Sequence, residues 1–327
     1  MAKSQNQKLK LLYILKILHE RTNENNAIST HEIIELLKKQ EILAERKSIY
    51  NDIEQLISFG IDIVSNKSKI NGGYFLASRD FELAELKLLV DAVQATKFIT
   101  EKKSKVLISK LESLTSIYDA KQLQRHVYVA NRVKTTNENI YYNVDYIHRS
   151  ISQNSMIGFR YFEWTIDKEM KFKKKGTFYH ISPWALTFSE ENYYLIGFEE
   201  ESNMIKHYRV DKMIDMKVIG TIRLGKEQFE KFDIGSYTNK TFGMFGGTEE
   251  LVTLNFPNRL VGVVFDRFGK ETTIRKRDEN NFSIRVNVAV SPQFYGWLTG
   301  IGPEVRISAP ESVKESYYKY LCEIIKG

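Results

Sequence analysis

The sequence predicts an α+β protein of several domains, on three observations. At 327 residues the chain is roughly two to three times a typical domain. Helical apolar spacing runs through its first 135 residues. Near residue 136 the composition switches from Leu, Lys and Glu to aromatic and β-branched residues, which favour strands.

Composition narrows the function classes. An apolar share of 42% and a charged share of 27% belong to a globular chain and exclude disorder and collagen. The single cysteine, Cys322, closes no intramolecular bridge and seeds no thiolate zinc site. The first residues, MAKSQNQKLK, lack a signal peptide's apolar core, and no stretch approaches the ~18 apolar residues of a membrane span. A cytoplasmic protein without membrane contact is expected. Lys and Arg (48) exceed Asp and Glu (41) by 7, an excess compatible with nucleic acid but too mild to be a grip by itself.

The elements follow in order. Leu11, Ile14, Leu15 and Leu18 fall at i, i+3, i+4 and i+7 and predict a first helix over Gln7 to Glu20. Ser29 and Glu32 stand three apart ahead of Ile33, Ile34, Leu36 and Leu37, the capping-box start of a second. In a third, Ile49, Ile53 and Leu56 take the buried face and leave Arg46, Lys47, Tyr50 and Asn51 outside, until Phe59-Gly60 ends it. Apolar bursts at Ile61 to Val64 and Tyr74 to Leu76 flank a basic tip and predict a hairpin.

Three short helices and a hairpin are the winged helix-turn-helix layout, in which the last helix enters the major groove. Residues 1–78 are read so. The run ERKSIYNDIEQLISFGIDI…GGYFL resembles the N-terminal reader domain of bacterial transcriptional regulators. In that layout Arg46 and Lys47 are phosphate anchors, Tyr50 and Asn51 are base readers, and Lys67 and Lys69 hold phosphates from the wing. The bland alternative for each is a solvated surface. His31-Glu32-Ile33-Ile34-Glu35 comes near a zinc-protease helix, but a glutamate stands where the second histidine belongs.

Residues 79–135 carry two further helical stripes, one of Leu86, Leu89, Val90 and Val93, another of Leu107, Leu111 and Leu114. They read either as a dimerisation region or as an intrachain connector. Residues 136–234 open with a stripe of Ile140, Val144, Ile147 and Ile151 and continue as strands from Ser155 to about Lys217.

Within that stretch HISPWALTFSEENYYLIGFEEESNMIKHYRVDKM resembles the WYL domain, an Sm- or SH3-like barrel of bacterial regulators. Tyr193-Tyr194-Leu195 stands at the family's Trp-Tyr-Leu, and Tyr208-Arg209-Val210-Asp211-Lys212-Met213 at its Phe-Arg-Leu-Asp-Arg-Ile. The departures are Tyr193 for Trp, which keeps an aromatic, and Lys212 for Arg, which gives up a planar fork for a point charge. Strand alternation sends His207, Arg209 and Asp211 to one face. Tyr161, His180, Tyr193, Arg209 and Lys212 are the candidate ligand contacts, offering rings and cations to a nucleotide-like anion if they converge. His180 reads equally as a buried core histidine, and Lys171 to Lys175 as either a ligand approach or a solvated hairpin tip.

Ile234 to Gly247, with four glycines, reads as a linker. Residues 248–327 give the order βαββαβ of a ferredoxin-like domain, closed by a helix from Pro310. YGWLTGIGPEVRISAPESV resembles the C-terminal extension, of WCX type, that follows the barrel in the same regulators; Trp297 and Leu298 read as core.

No phosphate-loop, dinucleotide, nucleophile-elbow or zinc-helix motif occurs, and the six histidines show no metal-ligand spacing. No cofactor, metal or enzymatic activity is expected. The resemblance implies a homodimeric transcriptional regulator, a repressor, on a palindromic DNA operator. Its barrel would sense a nucleic-acid fragment or nucleotide, and its circuits would be phage defence or DNA damage. The alternative is an accessory protein for RNA or single strands.

Overall fold

The computed structural model describes residues 7–67, 72–123, 134–231, 242, 244 and 247–326. They form two compact units, Met1–Glu138 and Asn139–Gly327.

In the first unit α1 (Lys10–Arg21), α2 (Thr30–Lys38) and α3 (Arg46–Ser58) share one core. The 3.6-residue period is obeyed: Ile14 and Leu18 on α1 and Ile49, Ile53 and Leu56 on α3 are all buried. The capping box is formed, with the Ser29 hydroxyl accepting from the Glu32 N–H and the Glu32 carboxylate accepting from the Ser29 N–H. The bond from the Ser29 hydroxyl, then that from its backbone, pulls the Glu32 carboxyl below its ordinary value. Lys10 Nζ meets Asp52 Oδ2 at 2.8 Å, tying α1 to α3.

β1 (Ile63–Asn66) and β2 (Gly73–Leu76) pair antiparallel, with Ile63 opposite Leu76 and Asn66 opposite Gly73. Ile28, just ahead of α2, bridges to β2 by exchanging two hydrogen bonds with Tyr74, at 2.9 and 2.8 Å. A Cβ at Gly73 would stand 2.2 Å from the Ile28 carbonyl oxygen, so the approach admits only glycine.

α4 (Leu83–Ala95), α5 (Glu101–Glu112) and α6 (Ile117–Leu123) pack on one another. Leu86 and Val90 are buried and meet Leu123, Ile108 and Leu111, whereas Leu89 of the first stripe and Leu114 of the second stay exposed. The seven residues of α6 are too short for an apolar period to reveal. Lys134 Nζ donates to the carbonyls of Thr96 and Val93, at 2.9 and 3.2 Å, satisfying the end of α4.

The second unit begins with α7 (Ile140–Ser152), as the stripe predicts. It is followed by β3 (Ser155–Trp164), β4 (Met170–Phe172), β5 (Tyr179–Ser189), β6 (Asn192–Glu199), β7 (Met204–Arg209) and β8 (Met213–Ile222). These make a curled antiparallel sheet of order β4-β3-β5-β6-β7, with β8 also paired to β3. Bulges in the β3–β8 register bend the central strand. The Asn143 amide of α7 donates to the Met213 carbonyl at 2.8 Å. A short helix, α8 (Lys226–Glu230), is held through Phe229, whose ring stacks on Trp184 at 5.1 Å.

Residues 248–326 form β9 (Thr248–Pro257), α9 (Val261–Phe268), β10 (Ile274–Lys276), β11 (Asn281–Val290), α10 (Pro292–Ile301), β12 (Arg306–Ala309) and α11 (Glu311–Lys326). Their antiparallel sheet has the order β10-β11-β9-β12, with β10 and β12 at its edges. Leu298 is fully buried, and Trp297 packs between Phe242 and Phe268. Of the linker predicted over 234–247, only 242, 244 and 247 are among the described residues, and Phe242 and Met244 are buried. Glycine content alone hid the core position of Phe242. Among the described residues no helix is long and apolar enough to cross a membrane.

Gly73→Ala is expected to destabilise the first unit by about 1–3 kcal/mol in urea unfolding, because backbone must move to admit the methyl group. Gly220→Ala, where a Cβ meets nothing within 4 Å, should change stability by less than about 0.5 kcal/mol.

Candidate nucleic-acid interface and effector site

On the first unit, burial of one face of α3 leaves Arg46, Lys47 and Asn51 exposed and Tyr50 half-buried. Arg46 Nε donates to the Tyr50 hydroxyl at 2.6 Å, and its guanidinium lies 5.6 Å from the ring centre. That bond, with a second from Thr30, draws the Tyr50 phenol below its ordinary pKa. The Tyr50 ring stands 6.5 Å from Tyr74 on β2. A groove of about 520 Å³ runs between the start of α2, the first turns of α3 and the hairpin, lined in part by Thr30, His31, Arg46, Tyr50 and Tyr74. Arg46 and Tyr50, independent in the sequence reading, are one coupled pair at this groove. Lys67 is exposed just past β1, and Lys69 lies outside the described residues.

On the second unit, alternation along β3 puts Phe159 and Tyr161 on the inner face with Tyr179 and Tyr208. Phe159 stacks on Tyr179 at 5.6 Å, and Tyr161 lies 5.9 Å from Tyr208 and 6.0 Å from Tyr179. The Tyr161 hydroxyl accepts from the Arg209 N–H at 3.2 Å. Burial pushes the Tyr161 phenol up to about 12. It raises Tyr208 further, helped by the nearby Glu199 carboxylate.

The five candidate contacts do not all meet. β7 ends at Arg209, and Val210–Lys212 is a 3-10 turn, not the predicted continuation of the strand. The turn folds Asp211 back, so that the Arg209 fork grips both its oxygens, at 3.0 and 2.9 Å, and also donates to Asn192 at 2.9 Å. Hydrogen bonding to Asp211 raises the Arg209 pKa. Tyr194, not Tyr193, is the register partner of Arg209. Tyr193 points to the other face of β6 and packs edge-on against Phe188 at 5.1 Å. His180 is exposed, neither a core histidine nor a neighbour of Tyr161, because it alternates with the buried Tyr179 on β5. Lys212 is half-buried in the turn. Of the set, Tyr161 and Arg209 are brought together.

The sequence reading missed a cluster of charges around a buried carboxylate. Glu199, 5% exposed, accepts from Lys206, from Ser202 at 2.9 Å and from Lys174 at 3.3 Å. Lys174 also reaches Glu201 at 2.7 Å and stands 4.7 Å from the Tyr179 ring centre. Burial opposes the Glu199 charge, but the bonds from Lys206, Ser202 and Lys174 outweigh it and draw the carboxyl down to about 2. Lys173 pairs with Glu163 at 3.2 Å, so two members of the lysine run have carboxylate partners, while all four of its lysines stay exposed. The available signal was an acid closing the apolar strand YYLIGFE, since a buried carboxylate must be paired. Among the described residues no group of His, Cys, Asp and Glu is placed to hold a metal ion.

The Glu199 pKa is depressed from 4.5 in the unfolded chain to about 2. Its stabilisation is therefore present above pH 4.5 and lost as pH falls towards 2. Glu199→Gln is expected to cost roughly 2 kcal/mol at pH 7 and to flatten the loss of stability between pH 5 and pH 2. Urea unfolding across that range checks both.

Residues 142–218 match the family model of the WYL domain. No curated protein matches the chain. Among solved structures, the chain is similar to proteasome accessory factor B/C (PafBC) of Arthrobacter aurescens, at 14% identity and a TM-score of 0.28, over 95% of this chain and 45% of that one. The chain thus spans under half the length of that relative. It is also similar to a CRISPR Cas-related protein, at 10% identity and a TM-score of 0.36, over 74% of this chain and 80% of that one. The matched segment, from within α7 into β8, carries the curled sheet around Tyr161 and Arg209.

Proposed function

We propose that this protein is a DNA-binding transcriptional regulator, a binding protein and not an enzyme. In this reading the first unit carries a winged helix-turn-helix, with α3 in the major groove and the β1–β2 hairpin against the backbone. The observation that carries it is the two-faced α3: Ile49, Ile53 and Leu56 in the core, Arg46, Lys47 and Asn51 outside, beside a groove that ends at the hairpin. Exposed cations meet phosphates, and an exposed Asn on a groove-reading helix pairs with an adenine edge. Held by Tyr50, Arg46 enters the complex already oriented, which lowers the ordering cost.

The WYL domain is the sensing part of this reading, and the ferredoxin-like domain at residues 248–327 completes it. The regulator acts as a homodimeric repressor on a palindrome, with a nucleotide-like effector shifting the geometry of the pair. Phage-defence or DNA-damage genes are the expected targets. With its fork filled by Asp211, Arg209 holds an effector's anion only when that carboxylate yields, so the DNA half of the reading is the better supported.

A gel shift with the upstream intergenic duplex, beside single strands of equal length at several salt concentrations, tests the proposal. Sequence-selective duplex binding is expected; single strands winning throughout would favour an accessory RNA or single-strand protein. Asn51→Ala should cost about 1–3 kcal/mol and relax specificity at one base pair, whereas Arg46→Ala should weaken all duplexes alike and reduce the salt slope by about 1.

A further inference from the structure

A second cavity lies in the C-terminal part of the chain, and none of the residues assigned above to DNA or effector lines it. It holds about 430 Å³, within the roughly 300–1,000 Å³ of small-molecule sites. One wall is a single stripe of α11: Lys314, Tyr317, Tyr318 and Leu321 stand at i, i+3, i+4 and i+7 and share a helix face. Edge strand β12 contributes Arg306 and Ile307, and the end of α10 contributes Thr299.

The chemistry of this lining is one-sided. Among the described residues that line it are two cations, Arg306 and Lys314, and no acid. Lys314 is held by Glu311 one turn earlier, at 2.9 Å, an exposed pair that yields readily to a competing anion. Arg306 makes no ion pair among the described residues and reaches solvent. The Tyr317 hydroxyl sits 3.0 Å from the Thr299 hydroxyl, which fixes that ring, while Tyr318 is 51% exposed. Buried Ile307 supplies an apolar floor.

We propose that this cavity binds a small anion that carries a flat ring and is about the size of a nucleotide. Arg306 and Lys314 take the anion, whose planar oxygens suit a guanidinium fork, and the ring lies against Tyr317 and Tyr318. Phosphate- and carboxylate-bearing rings share this chemistry. The proposal stands apart from the DNA-binding reading, since neither α3 nor the WYL domain contributes to the cavity.

Calorimetric titration of the full chain with AMP, salicylate, adenosine and inorganic phosphate tests it, and AMP against salicylate distinguishes the two sources. A fluorophore on Cys322, the chain's one cysteine, exposed and adjacent to Leu321, reports where binding occurs. Saturable binding of AMP or salicylate is expected, with adenosine and phosphate each about tenfold weaker or more. Arg306→Gln and Lys314→Gln should each weaken the ring anion by about tenfold at unchanged melting temperature, and Arg46→Ala should leave it unaltered. No saturable binding by either ring anion, equal binding of adenosine, or indifference to both substitutions would overturn the proposal. So would loss of binding in Arg46→Ala, which would move the site to the N-terminal unit.

Discussion

The N-terminal surface takes its shape from the exclusion of Ile49, Ile53 and Leu56 from water, which fixes the rotation of α3 about its own axis. Each such side chain contributes roughly 1.5–3 kcal/mol on burial, more than the charges opposite them gain from any exposed contact. The polar face therefore points outward because the apolar one has nowhere else to go. The buried Lys10–Asp52 pair adds register more than stability: two charges taken out of water roughly repay their desolvation, but they do so at a single setting of α1 against α3.

In the curled sheet of the second unit the corresponding constraint is satisfaction of buried charge. Glu199 and Glu201 neutralise Lys174 and Lys206 beside the ring cluster of Phe159, Tyr161, Tyr179 and Tyr208, and Arg209 is answered by Asp211 and Asn192. An anion that reaches the Arg209 guanidinium competes there with Asp211, so its affinity is a difference between two interactions.

Much of this was legible in the sequence because the signals were local. The capping box at Ser29 and Glu32, the stripes of α1, α3 and α7, and the strand and helix order after residue 248 all depend on residues within a turn or two of each other. The WYL match was readable from its triplet and the Arg-Val-Asp run. What escaped was set by distant contact or by turn geometry. His180 and Tyr193 looked like partners of Arg209 because alternation was known along each strand but not the register between strands. The bend at Val210 turned Asp211 from a neighbour on one face into the occupant of the Arg209 fork. The role of Glu199 depended on Lys174, twenty-five residues away.

The two hydrogen bonds between Ile28 and Tyr74 make the hairpin continuous with the segment that launches α2. Through the bare Cα of Gly73, two parts of the chain forty-six residues apart approach as closely as strands of one sheet. A load applied along β2 is then carried into the segment ahead of α2 through these two backbone bonds. The paired strands β1 and β2 are thus joined to the helical body that carries α3 by backbone bonds as well as by side-chain packing.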